Sequence, residues 1–238
     1  MVCFLKYTGA ALAVISTAIA SPTSATVDAR KAPLIPNGKK AGSAGGRAMR
    51  HWKDHIGWWY DWTPKPSGHD EVMGVSMLRG RRHQRKTDAD RLRAFQILHE
   101  TPLYLLGLNE PDCPGKDSAD LRVAQGGRAG SLLGSPSMCK QKDEGWLAKF
   151  RTQSLDADWD LTAIHSYKDS IGRPARSSGR STTSSTTSVD LFEKNEHVMA
   201  YAYTGGGGLA PNWLPTNGDG SQLSESGGTY LNAITKYN

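Results

Sequence analysis

Several familiar features are missing from this chain, and each absence removes a class of function. None of its apolar runs reaches the roughly 18–20 residues that span a bilayer, so no membrane-spanning helix is expected. No Asn-x-Ser/Thr sequon occurs, which excludes ordinary N-glycosylation. Cysteine is scarce, with three residues, and neither these nor the seven histidines fall at metal-ligand spacing. No Gly-x-Ser-x-Gly elbow is present to carry a serine nucleophile. Glycine-rich phosphate loops are absent too. Ala41-Gly42-Ser43-Ala44-Gly45-Gly46 is a loose echo of one, and Gly205 to Gly208 opens no helix. The net charge of +6 comes from scattered Lys and Arg with no nucleic-acid-binding motif, so it reads as solubility with weak attraction to an anionic surface. No cofactor, metal, nucleic acid or membrane partner is expected, and the chain is expected to be a monomer.

What is present begins with a targeting pattern. Lys6 precedes an apolar run from Ala10 to Ile19, and Ala18-Ile19-Ala20 supplies small residues for cleavage, the order of a secretory signal peptide over residues 1–20. Cleavage there removes Cys3 and leaves Cys113 and Cys139. An even pair in an oxidising compartment fits a disulfide, with two buried free thiols as the alternative. Residues 21–37, rich in Ser, Thr, Ala and Pro, read as a flexible leader.

From residue 38 to 238, short apolar runs alternate with helical patterns, the rhythm of a parallel α/β domain. Strands are expected at Lys40 to Ser43, His55 to Trp62, Val72 to Leu78, Leu103 to Leu108, Ser131 to Ser135, Leu161 to Ser166 and His197 to Tyr203. Helical spacing marks Asp88 to His99, Ser118 to Arg128, Glu144 to Gln153, Asp190 to Glu196 and Gly228 to Tyr237. Seven strands with intervening helices are one short of a (β/α)8 TIM-type barrel, which is therefore expected to be incomplete or irregular around residues 170–188. Ile171 to Ser188 holds ten Ser or Thr, three Arg and no acid, too little apolar surface for a buried strand.

The sharpest chemical signal is Asn109-Glu110-Pro111 at the end of the apolar run Leu103 to Leu108. At the C-terminal end of a barrel strand, Glu110 would point into the mouth where such folds place their chemistry, and Asn109 could hydrogen-bond a sugar hydroxyl. The run Trp58-Trp59-Tyr60-Asp61-Trp62 puts four aromatic rings in five positions. On a strand one set packs in the core while the other can line a cleft, where flat rings stack on sugar faces. His165-Ser166-Tyr167 closes another apolar strand and adds possible hydrogen-bonding groups at the same rim.

These segments stand in a recognisable order. Gly42 to Gly46, His55 to Pro64, Tyr104 to Cys113, Leu133 to Cys139 and Ala200 to Tyr203 together resemble the Asl1-like glycosyl hydrolase catalytic domain, glycoside hydrolase family 128. The resemblance covers about residues 38–170 and 189–238. It implies a (β/α)8 barrel and retaining cleavage of β-1,3-glucan or a related polysaccharide of the fungal cell wall, by a protein secreted to the extracellular space or the wall. It assigns Glu110 as acid/base, with Asn109, Trp59, Trp62, His165 and Tyr167 as sugar-site candidates.

A retaining enzyme also needs a second carboxylate about 5–5.5 Å from the first. The family carries that nucleophile on its seventh strand, and this chain has the Ser/Thr/Arg run Ile171 to Ser188 there instead. Asp190, Glu193 and Glu196 follow on a helical pattern and are not expected to reach the mouth. Two expectations result: a glycoside hydrolase scaffold lacking its nucleophile, which only binds glucan, or a coding sequence misread over 171–188, favoured by the abrupt return of family-like sequence at Val189.

Overall fold

The computed structural model describes residues 2–6, 38–77, 86–112, 131–139, 144–152, 159–165, 186, 188–205 and 211–238. The chain is α/β, and its sheets are mainly parallel. Each strand expected from residue 38 onward is present, the first and last at their expected length but one residue later, the others shortened. They are β2 (Ala41–Ala44), β3 (Trp58–Tyr60), β4 (Met73–Gly74), β5 (Ser76–Met77), β6 (Tyr104–Leu106), β7 (Leu132–Leu133), β8 (Leu161–His165) and β9 (Val198–Thr204). The pattern from Val72 to Leu78 yields two strands because the segment changes partner there, β4 pairing with β3 and β5 with β6.

The helices are α1 (Met49–Trp52), α2 (Lys86–Gln96), α3 (Glu144–Arg151), α4 (188–194) and α5 (Glu225–Ile234). α5 starts three residues earlier than its pattern suggests, because Ser224 caps it by accepting from the Gly227 amide at 3.0 Å. The expected helix Ser118 to Arg128 lies outside the described residues, as does nearly all of Ile171 to Ser188. Among the described residues, no helix is long and apolar enough to cross a membrane.

Alternation along the strands builds two layers of core. Trp58, Tyr60, Tyr104, Leu106, Leu161, Ala163, Ala200 and Ala202 turn to the inner side. Trp59, Tyr201 and Tyr203 turn outward against Trp52 of α1 and Tyr230 of α5. This is the period-2 consequence of strands buried on both faces. Gly42 is obligatory in that packing: a Cβ there would lie 2.4 Å from the Trp58 ring, whose indole N–H donates to the Lys40 carbonyl at 3.0 Å.

Family-like sequence resumes at Val189 and re-enters the fold at once. Val189 is fully buried in the outer layer. Lys40 Nζ donates to the carbonyls of Phe192, Glu193 and Asn195 at 3.3, 2.9 and 3.0 Å, joining the end of α4 to the start of β2. A cation over the last carbonyls of a helix also complements its dipole.

One strand has no counterpart in the sequence reading. Val2–Lys6, read there as the start of a signal peptide, forms β1 and lies antiparallel between β8 and β9. The six-stranded order is β4-β3-β2-β9-β1-β8, beside a three-stranded sheet β5-β6-β7. A single parallel bridge, Gly134 to Leu161, connects β7 to β8, supported by Ser135 N–H donating to the Leu161 carbonyl at 2.7 Å. The strands therefore follow a circular order without a continuous ladder, and the described residues form no closed barrel. Where the barrel is expected to be incomplete or irregular, between β8 and β9, β1 is found.

Candidate functional site

The site gathers where parallel strands end. Beyond β6 the chain stays paired: Ser137 N–H donates to the Leu108 carbonyl at 2.9 Å, and Glu110 N–H donates to the Ser137 carbonyl at 2.7 Å. Asn109 is bridged to Ser137 and buried. The close approach of the two segments depends on Gly107, where a Cβ would lie 2.7 Å from backbone atoms of Gly134 and Ser135. Backbone cannot swing aside as a side chain can, so Gly107→Ala should cost about 1–3 kcal/mol. Gly134→Ala, whose Cβ would meet nothing closer than 3.4 Å, should cost less. Urea denaturation of the two variants checks this, and equal losses would refute the asymmetry.

Glu110 itself has φ +53. Glutamate in the left-handed region is strained by roughly 1–2 kcal/mol, and such strain persists where the surroundings over-determine it. Here two backbone hydrogen bonds and buried Pro111 supply that constraint. The carboxylate meets His165 of β8, whose Nδ1 lies 3.4 Å from Glu110 Oε1, with side chains 4% and 13% exposed respectively. A proton on Nδ1 would direct that ring at one carboxylate oxygen and fix its orientation.

The other described non-glycine residue with positive φ is Trp62, at +63. It follows the C-terminal end of β3, as Glu110 follows the extension of β6, so both strained residues stand at the same end of parallel strands. Trp62 packs edge-on to Tyr60 at 5.3 Å and stays only partly buried. A Cβ at Gly45 would lie 3.3 Å from its ring.

Trp59 is elsewhere. It is 2% exposed, turned to the outer layer with its ring edge-on to His69 at 4.8 Å, so the structure removes it from the mouth to the core. Alternation puts it opposite Trp58 and Tyr60. Asn109, Glu110 and His165 are brought together, and Trp62 stands at the same end of the sheet. Tyr167 and Cys113 lie outside the described residues. Cys139 is disulfide-bonded.

The sequence reading missed the two serines that hold this arrangement. Ser135 Oγ accepts from the Ala163 amide at 2.9 Å and donates to the Pro136 carbonyl at 3.0 Å, tying β8 to the segment after β7. Ser137 pairs with Leu108 and Glu110 as described above. Their signal was available in Ser135-Pro136-Ser137, small hydroxyl residues directly after an apolar run.

The acids beyond residue 188 are held away from the mouth. Glu193 accepts from the Tyr201 hydroxyl at 2.6 Å in the outer layer, Asp190 accepts from the Tyr237 hydroxyl at 2.8 Å, and Glu196 is exposed beside His197. Among the described residues, no group of three or more potential metal ligands forms.

Residues 40–176 match the family described as glycosyl hydrolase catalytic core. Among solved structures, the chain is similar to an oligosaccharide-binding protein of glycoside hydrolase family 128, subgroup VII, from Trichoderma gamsii. Identity is 41% and the TM-score 0.77, over 86% of this chain and 97% of that one. A subgroup VII oligosaccharide-binding protein from Cryptococcus neoformans is 34% identical with a TM-score of 0.77 over the same shares. An endo-β-1,3-glucanase of subgroup I from Amycolatopsis mediterranei, in complex with laminaritriose, shares the fold. It is 18% identical, with a TM-score of 0.58 over 82% of this chain and 100% of that one. No curated protein matches the chain.

Proposed function

Because the chain belongs to glycoside hydrolase family 128, with a glycosyl hydrolase catalytic core, we propose that it is a β-1,3-glucan oligosaccharide-binding protein built on a hydrolase scaffold. One observation carries this reading. The mouth keeps the acid/base position, Glu110, and its His165 contact, but Asp190, Glu193 and Glu196, the acids that follow the run standing in for the seventh strand, are held away from it. Retention of configuration requires a nucleophile about 5–5.5 Å from the acid/base, and losing a covalent catalyst costs several powers of ten in rate. The subgroup VII relatives, described as oligosaccharide-binding proteins, support the same conclusion. The laminaritriose complex of the glucanase that shares the fold supplies the ligand class. Secretion to the cell wall belongs to this proposal and rests on the Lys6 to Ala20 pattern.

Calorimetric titration with laminari-oligosaccharides, alongside a reducing-end assay on laminarin, tests the reading. Binding without release of reducing ends is expected, and Glu110→Gln should bind within a few-fold of the parent. Reducing ends that appear with the parent and vanish in Glu110→Gln would establish a hydrolase instead. That result would mean that an acid elsewhere in the chain completes the site.

A further inference from the structure

We propose that Asp112 is a positioning residue of the candidate site: its carboxylate takes the ladder place that the Glu110 carbonyl gives up, and so holds Glu110 in the conformation that presents it to His165. The consequence for sugar binding rests on the function proposed above, whereas the hold on Glu110 does not.

Past β6 the backbone pairs with the segment after β7 as a parallel ladder, in which the hydrogen bonds recur evenly along both chains. Ser137 N–H donates to the Leu108 carbonyl at 2.9 Å, and Glu110 N–H donates to the Ser137 carbonyl at 2.7 Å. The next step in the same register would bring the Cys139 N–H to the Glu110 carbonyl. That N–H goes instead to Asp112 Oδ1, at 2.6 Å. Glu110, with φ +53, is where the chain turns out of the ladder, and the side chain of Asp112 replaces the backbone acceptor that the turn removes. A carboxylate accepting from a backbone N–H makes one of the stronger hydrogen bonds open to it. The donor is anchored as well, since Cys139 is disulfide-bonded.

This clasp opposes the local preference of the chain. A residue before proline is driven toward extended backbone, and Pro111 follows Glu110. The left-handed region is costly for glutamate in any case. Pro111 has no N–H with which to secure the far side of the turn. The bond to Ser137 fixes the peptide before Glu110, and Asp112 fixes the chain after it. Without that carboxylate the Cys139 amide needs another acceptor. The Glu110 carbonyl becomes one if Glu110 relaxes to extended backbone and the ladder runs on. The same relaxation reverses φ and carries the Glu110 carboxylate away from His165 Nδ1, now 3.4 Å distant. One donor, the Cys139 N–H, therefore chooses between two acceptors, and its choice sets where Glu110 points.

Histidine-ring NMR and calorimetric titration with laminari-oligosaccharides on the full chain test the proposal. In Asp112→Ala the His165 ring signals should move, and binding should weaken roughly tenfold. Asp112→Asn keeps an Oδ1 acceptor, so it should leave those signals in place and bind within about twofold of the parent. A hydrogen bond that only stabilised the fold would lower the melting temperature of Asp112→Ala without moving the His165 signals. That outcome overturns the proposal, as does an Asp112→Asn that behaves like Asp112→Ala. A parent chain that binds no laminari-oligosaccharide would defeat the sugar reading, and the His165 signals would still decide the role of Asp112. Should Asp112→Ala fail to fold, Asp112→Glu, whose carboxylate stands one methylene farther from the backbone, should move the same signals, and unmoved signals there refute the clasp equally.

Discussion

Replacing Trp62 with alanine should weaken laminari-oligosaccharide binding by roughly 30-fold, the size expected when an aromatic anchor is removed from a binding site. The argument rests on where the ring sits and on the backbone conformation that puts it there. Trp62 follows the end of β3 at the Glu110 end of the sheet, braced by Tyr60 and crowded against Gly45, with part of its ring left to solvent. Its φ of +63 is one an L-residue adopts at a cost of roughly 1–2 kcal/mol, while glycine adopts it freely.

A second substitution separates binding from folding. Trp62→Gly deletes the same ring but relieves the backbone, so it should be more stable than Trp62→Ala by about 1 kcal/mol while binding equally poorly. That pattern would mean strain is retained at this position for the sake of the ring. Equal stability of the two variants would refute the strain, and unaltered sugar binding by either would remove Trp62 from the site. The measurements are denaturant melts and calorimetric titration on the same preparations.

Most of the scaffold was legible because apolar runs report burial wherever a strand is covered on both faces. Leu103 to Leu108 and Leu161 to Ser166 gave β6 and β8 for that reason, and the Asn109-Glu110 pair followed from its place at a strand end. What the sequence could not say was which side of β3 faces inward. Trp58 to Trp62 alternates by rule, but only the placement of α1 and α5 shows that Trp59 joins the outer core and Trp62 the mouth. Positive φ at Trp62 and Glu110 leaves no trace in residue type, since both are large L-residues where glycine would be the usual choice. β1 was hidden for two reasons. Its partners are some 160 and 200 positions away along the chain, and its composition equally spells the start of a secretion signal. Local pattern carries no information about pairings that distant.

The fold should also collapse abruptly in alkali. Tyr60, Tyr201, Tyr203 and Tyr230 are all buried, and burial raises each phenol above its ordinary value of 10.0, because a phenolate cannot be solvated there. For Tyr201 the neighbouring Tyr230 and the hydrogen bond to Glu193 add to the effect. The sign follows from proton counts. Below pH 10 both folded and unfolded chains keep these phenols protonated, so their contribution is constant. Above pH 10 the unfolded chain releases protons that the folded chain retains, and stability falls as pH rises until the folded values are passed. Each phenol contributes about 1.4 kcal/mol per pH unit, so four of them remove roughly 5 kcal/mol per unit. That is comparable to the whole stability of an ordinary domain, so unfolding is expected near pH 11. Urea midpoints measured from pH 8 to 11 should hold level to about pH 9.5 and then drop steeply. Absorbance at the phenolate band should show these tyrosines titrating only together with unfolding. Tyr60→Phe should reduce the slope by about a quarter, since one of the four groups is gone. A midpoint that stays level through pH 11 would mean that these rings are open to solvent in the folded protein, contrary to the two-layered core in which they are packed.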